Sequence, residues 1–237
     1  MYNIIKFDTL PSTNKYLKEH YNQYDEFTVI TTDNQTNGKG RMTRVWNSTK
    51  DDLTFSILLK PNIDSSYISQ IPLIMGAAVC RMISKYTKSE IKWPNDIMVN
   101  NKKIAGILVE GITSTKVDAI VVGVGINVNS TNFPEDLIIK ATSLKNELNK
   151  TIDKEKLLNK IIKEFIILYI EFLNGNEKYI DICIENNYLK NKKVYVNNEL
   201  IEVLDISLNG NLLIKDSSNN IKELYYGEVT LNKVYEE

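Results

Sequence analysis

The stretch Gln35-Thr-Asn-Gly-Lys-Gly-Arg-Met-Thr-Arg-Val-Trp46 sets Lys39, Arg41 and Arg44 around Gly38 and Gly40, and no acidic residue falls between Asp33 and Asp51. Glycine lets the backbone take left-handed or close-approach conformations, so main-chain N–H groups can turn toward a phosphate or carboxylate beside those cations. The chemistry on offer is anion binding. A solvated basic turn has the same composition, so the loop gains its meaning from its company.

That company is Lys92-Trp-Pro-Asn-Asp96 and Lys102-Lys-Ile-Ala-Gly-Ile-Leu-Val-Glu110. Together the three segments resemble the signatures of the biotin protein ligase family. The resemblance runs over nearly the whole chain: it takes in Ser12-Thr13-Asn14, Gly123-Val-Gly-Ile-Asn-Val128, Ala141-Thr-Ser-Leu144 and Gly227-Glu228-Val229. It implies an α+β catalytic domain with a class II synthetase-like mixed β-sheet, followed by an SH3-like barrel. It also implies a reaction in which biotin and ATP form an acyl-adenylate, pyrophosphate leaves, and a lysine amine of a biotin carboxyl carrier protein attacks the carbonyl. Several anions meet in the first step, so positioned cations and N–H groups are the expected equipment and no enzyme nucleophile is needed.

Carried over residue by residue, the resemblance makes Lys103 the cation bridging the biotin carboxylate and the α-phosphate, and Arg41 the group that holds the adenylate. Biotin's neutral ureido ring needs paired donors and acceptors in an apolar slot, which Ser12, Thr13, Asn14 and Gln35 can supply. Lys39, Gly40 and Gly106 complete the expected biotin site. ATP is expected to meet Arg41, Arg44, Trp46, Asn95, Asp96, Lys103 and Asn127, with Asp96 facing Mg2+ through a phosphate. Lys39 stands where the family usually has arginine, which keeps the charge but loses the bidentate fork. Thr43 replaces a frequent glycine.

Each residue also has a plainer reading. Ser12 can cap the helix that follows, Asp96 can close a turn after Pro94, and Trp46 and Trp93 can be core. Lys102 and Lys103 point to opposite faces of a strand, and the spacing to Ala105-Gly106 favours Lys103. The chain has one His and no Ser/His/Asp arrangement. Ser12-Thr-Asn-Lys15 matches an S-x-x-K pattern whose companion motifs are absent. Cys80 and Cys183 sit in apolar, helix-like runs without metal-ligand spacing and read as buried hydrophobes.

These residues need a scaffold. Leu53 to Leu59 alternates as a strand. From Ser66, apolar residues recur at helical spacing through Met82, with Pro72 tolerable only in the first turns. Ile97–Val99 and Ile104–Val109 flank Asn100-Asn101, a dipeptide that accepts the positive φ of a tight hairpin. Val117 to Val128 reads as a strand covered on both faces. Asp153 opens an amphipathic helix that stops before Asn174-Gly175, and a second helix is expected over about Glu177 to Leu189. Beyond Lys190 the texture changes to short strands, 194–196, 201–206, 212–214 and 221–225, punctuated by Asn197-Asn198, Asn209-Gly210 and Asn219-Asn220. The chain is thus read as a catalytic domain over 1–189 and a small barrel over 190–237.

With 29 Lys+Arg against 30 Asp+Glu, a net charge of −1 gives no global signal for nucleic acid or membrane. The longest apolar stretch, Ile161 to Leu173, is broken by Lys163, Glu164 and Glu171. The strand-like run beginning by Tyr2 lacks a signal-peptide pattern, which predicts a cytoplasmic protein. It also leaves no room for the N-terminal winged-helix domain of many relatives, so operator DNA is not an expected partner. A homodimer is allowed. Two rivals stay open: a lipoate- or octanoate-transferring relative of the same fold, and a non-enzymatic sensor of biotinyl-adenylate.

Overall fold

The computed structural model describes residues 1–113, 116–196, 199–225 and 231–234. Asn197-Asn198 and Gly227-Glu228-Val229 lie outside them. The chain runs β1 (Asn3–Leu10), α1 (Thr13–His20), β2 (Thr28–Gln35), β3 (Leu53–Leu59), α2 (Ile71–Ile83), β4 (Glu90–Lys92), β5 (Asp96–Val99), β6 (Lys102–Thr113), β7 (Val117–Ile126), α3 (Leu144–Leu148), α4 (Lys154–Leu173), α5 (Lys178–Glu185), then β8 (Lys193–Val196), β9 (Glu199–Ile206), β10 (Leu212–Lys215), β11 (Ile221–Leu224) and β12 (Leu231–Val234). The first seven strands form one mixed sheet in the order β1-β2-β3-β7-β6-β5-β4, and the last five form a second in the order β11-β10-β9-β8-β12. Only the β1–β2 pair is parallel among the described residues. The mixed α+β class is as expected.

Strand alternation divides the large sheet into two unequal faces. Phe55, Ile57 and Leu59 of β3, with Ile120, Val122, Val124 and Ile126 of β7, enter the main core beneath α2, α4 and α5. Leu58 of β3 and Ala119 and Val121 of β7 face the other way, into a small cluster with Leu17 of α1. The expectation that β7 is covered on both faces holds.

The helices follow from local chemistry. Asp153 caps α4 by accepting from the Lys156 N–H at 2.9 Å, and the helix buries Leu157, Leu158, Ile161, Ile162, Phe165 and Tyr169 along one stripe. Each such side chain contributes roughly 1.5–3 kcal/mol on full burial. The segment beginning near Ser66 is a 3-10 turn over Ser65–Gln70, and α2 starts only at Ile71 with Pro72 in its first turn. Ser65–Ile83 has the length and apolar character of a membrane span, yet about two thirds of it is buried inside the protein, as in a core helix.

The second helix is shorter than its expected span of about Glu177 to Leu189. It ends at Glu185 because the next residues pair with the sheet: Ile91 N donates to Asn186 O at 2.7 Å and Tyr188 N to Ile91 O at 3.0 Å. At the hairpin, Asn100 (φ 48°) and Asn101 (φ 63°) both take the left-handed region expected of them. The two sheets share one core: Val194, Val203 and Ile214 pack in the same cluster as α2 and α5. Buried Trp93 donates its indole N–H to Gly210 O at 2.9 Å and packs as a core residue. Both cysteines are buried and free, and desolvation raises the pKa of each thiol.

Candidate active site

On the α1 face of the large sheet, side chains shrink along three neighbouring strands. The β7 positions on that face run Ala119, Val121, Gly123, Gly125; the last three have Leu58, Ser56 and Thr54 of β3 as partners, and all four pair with Ile112, Glu110, Leu108 and Gly106 of β6. The paired glycines leave a floor of bare backbone. Helix α1 enters over one end of it and the 36–46 loop lies over the other. A Cβ on Gly123 would come within 2.8 Å of Asn14 Cγ, and one on Gly125 within 2.5 Å of Trp46 Cζ2, so both glycines are fixed by close approach.

At the α1 end the pocket is polar and buried. Ser12 caps the helix, Thr13 N donates to Gln35 Oε1 at 2.9 Å, and Ser56 Oγ lies 2.6 Å from both Thr13 Oγ1 and Asn14 Oδ1. Ser12 thus caps the helix and also lines the pocket. Thr54 Oγ1 and Trp46 Nε1 are buried without a hydrogen-bond partner, and both residues line the pocket. A buried orphan costs about 1–3 kcal/mol, which a polar ligand can recover.

The basic loop is a small hairpin. Lys39 bridges to Val45, Gly40 N donates to Arg44 O at 2.7 Å and Trp46 N to Gly38 O at 3.0 Å. Arg41 Nη1 donates to Asn95 Oδ1 at 3.0 Å, while Asn95 Nδ2 is held by Ile107 O. The loop cation is thereby tied to the segment that opens β5.

Lys103 reaches the pocket through a bulge. Met98 pairs with Lys103 but Ile97 pairs with Ala105, so β6 carries one extra residue between them. Strict alternation would send Lys103 away from Gly106; the extra residue re-aims it, and its ammonium sits 3.0 Å from where a Gly106 Cβ would be. There it lies 2.7 Å from Asp96 Oδ1 and 5.5 Å from the Trp46 ring centroid. Lys103 N donates to Lys140 O and Thr142 N to Lys103 O, so the backbone is clamped by the Ala141-Thr142 strap. Burial pushes the Lys92 ammonium below its usual pKa; Asp96 opposes the shift, and Lys103, Lys192 and Arg44 reinforce it. Such a cluster of cations around one carboxylate suits a polyphosphate.

Of the residues expected from sequence, Ser12, Thr13, Asn14, Gln35, Lys39, Gly40, Arg41, Trp46, Asn95, Lys103 and Gly106 line this one pocket. Arg44, Asp96 and Asn127 do not. Asp96 touches it through Lys103. Asn127 braces main chain instead: its Nδ2 donates to Thr142 O, its N–H to Ile104 O, and its carbonyl accepts from Leu144 N. Sequence reasoning missed Thr54 and Leu108, which line the pocket, Ser56, which holds Thr13 and Asn14, and Lys92, which belongs to the charge cluster of Asp96 and Lys103. Lys92 opens the Lys-Trp-Pro-Asn-Asp segment and was in plain view; Thr54 and Ser56 gave no signal beyond small polar residues alternating in a strand.

Residues 6–127 match the model of the biotin/lipoate A/B protein ligase family. The chain belongs to this family. It is 32% identical to the bifunctional ligase/repressor BirA of Bacillus subtilis over 241 residues, covering 97% of this chain and 74% of that protein. A biotin–acetyl-CoA-carboxylase ligase of Mycobacterium tuberculosis is 28% identical over 62% of this chain and 56% of its own length. Among solved structures, the biotin protein ligase from Aquifex aeolicus in complex with biotin and ATP superposes with a TM-score of 0.87 at 29% identity, covering 97% of this chain and 98% of that one. The second, five-stranded sheet is consistent with the SH3-like module of such ligases.

Proposed function

We propose that this chain is an ATP-dependent biotin protein ligase whose pocket joins biotin to AMP and then to one lysine of a biotin carboxyl carrier protein. The observation that carries the reading is the meeting, in one pocket, of a buried donor–acceptor end (Thr13, Asn14 and Gln35, the first two held by Ser56) and a cationic end (Lys39, Arg41, Lys103). A ligand with a neutral polar ring and a carboxylate tail matches that polarity.

In the first step a biotin carboxylate oxygen attacks the α-phosphorus of ATP, and the bond to the pyrophosphate oxygen breaks. Lys103 draws the two anions together and meets the charge that develops between them, while Arg41 and Lys39 close over the product. The deprotonated amine of the carrier lysine then attacks the acyl carbon, AMP leaves, and the amide nitrogen gives up a proton. Mg2+ would enter with the nucleotide. Asp96 is the carboxylate beside the cationic end, and one carboxylate plus phosphates and waters is an ordinary Mg2+ environment. The carrier would belong to acetyl-CoA carboxylase or another biotin-dependent carboxylase.

The test is transfer itself. With MgATP, biotin and a carrier domain, a single lysine should gain the mass of a biotinyl group with release of one pyrophosphate per transfer. Transfer of lipoate in preference to biotin would assign the chain to the other branch of its family, and binding without pyrophosphate release would make it a sensor.

A further inference from the structure

Beneath the pocket, Asn14 of α1 is only 4% exposed and is held from three sides. Its Nδ2 donates to Leu108 O at 3.2 Å and to Glu110 Oε2 at 2.9 Å, and its Oδ1 lies 2.6 Å from Ser56 Oγ. The other oxygen of Glu110 accepts from Lys18 Nζ at 2.6 Å. Both Asn14 protons are therefore spent on acceptors that can never donate, an ionised carboxylate and a main-chain carbonyl. Turning the amide over would set its oxygen against those two oxygens and its NH2 against the Ser56 hydroxyl. Only one orientation is compatible with an ionised Glu110.

We propose that Glu110 is a positioning residue for substrate recognition: it locks the Asn14 amide so that Oδ1, which keeps a free lone pair, faces the pocket as an acceptor for a ureido N–H. The inference rests on the biotin reading above and adds a residue outside the pocket lining to it. It has a specific corollary in Lys18. A glutamine at position 110 has one oxygen, and the neighbouring ammonium claims it, leaving the glutamine NH2 to face Asn14 and favour the inverted amide. Without Lys18, the same glutamine can turn its oxygen back to Asn14.

Calorimetric titration of biotin into the full-length chain and the variants E110Q, K18A and E110Q/K18A tests this. E110Q should weaken biotin binding by roughly 10-fold or more, since a buried donor then opposes a ligand donor. K18A keeps the carboxylate and should stay within about 3-fold of the parent, and the double variant should regain most of what E110Q loses. The KM for ATP in pyrophosphate release should not follow these changes. Parent-like binding by E110Q, or a double variant as weak as E110Q, would overturn the role of Glu110. A parent chain that fails to bind biotin would overturn the functional reading itself, so the two failures are distinguishable.

Discussion

At the scale of single residues, the site depends on charge held in place before substrate arrives. Lys103 is fixed by its backbone strap and by Asp96 at 2.7 Å. Lys103→Ala should lower adenylate formation by about 100-fold or more, roughly 3 kcal/mol of transition-state stabilisation, read as pyrophosphate release; a near-normal rate would remove the lysine from the chemistry. Arg41→Gly takes a guanidinium off Asn95 and adds a third glycine to the turn. The expected result is leakage of biotinyl-adenylate, measured as labelling of an unrelated lysine-rich protein above the parent level. Thr54 Oγ1 predicts a trade-off, because the orphan burdens the empty fold and serves the ligand. Thr54→Val should raise the thermal midpoint while weakening biotin binding; loss of both stability and binding would show that the hydroxyl is merely structural.

At the scale of elements, caps and turns carry much of the specification. Asp153→Ala should cost about 1 kcal/mol by removing the N-cap of α4, lowering the thermal midpoint by about 2–4 °C for a chain this long. That cap, the Asn100-Asn101 hairpin and the alternation of β3 were all legible in the sequence, because they arise from neighbours along the chain. Lys103 does line the pocket, but the reason for its aim was hidden. The alternation argument separates Lys102 from Lys103 and says nothing of the extra residue that brings Lys103 onto the Gly106 face. The end of α5 was hidden for a similar cause: Asn186 and Tyr188 leave the helix to bond with Ile91, nearly a hundred residues earlier. Asn127, a polar residue at a strand end, bonds to Ile104 and Thr142 and does not line the pocket, a placement its sequence neighbours did not display. Long-range pairing decides such cases, and a single sequence does not display it.

At the scale of the whole molecule, the two sheets are welded through one core, with Trp93 N–H bonded to Gly210 O and Leu73 and Ile180 packed close to that glycine. Trp93→Phe should leave the Gly210 carbonyl without its buried donor and cost about 1–3 kcal/mol, seen as a lower denaturant midpoint with one transition retained. Two separable transitions in the parent would contradict the shared core. The same bond has a consequence for the order in which the protein is made. Trp93 leaves the ribosome 117 residues ahead of its acceptor, so a nascent chain long enough to lay down the glycine floor still lacks the carbonyl that holds Trp93 between Lys92 and Pro94. Catalytic competence is then expected only once Gly210 has been made, and chains cut short before it should carry the 35–46 loop and the Lys92–Asp96 segment yet fail to release pyrophosphate.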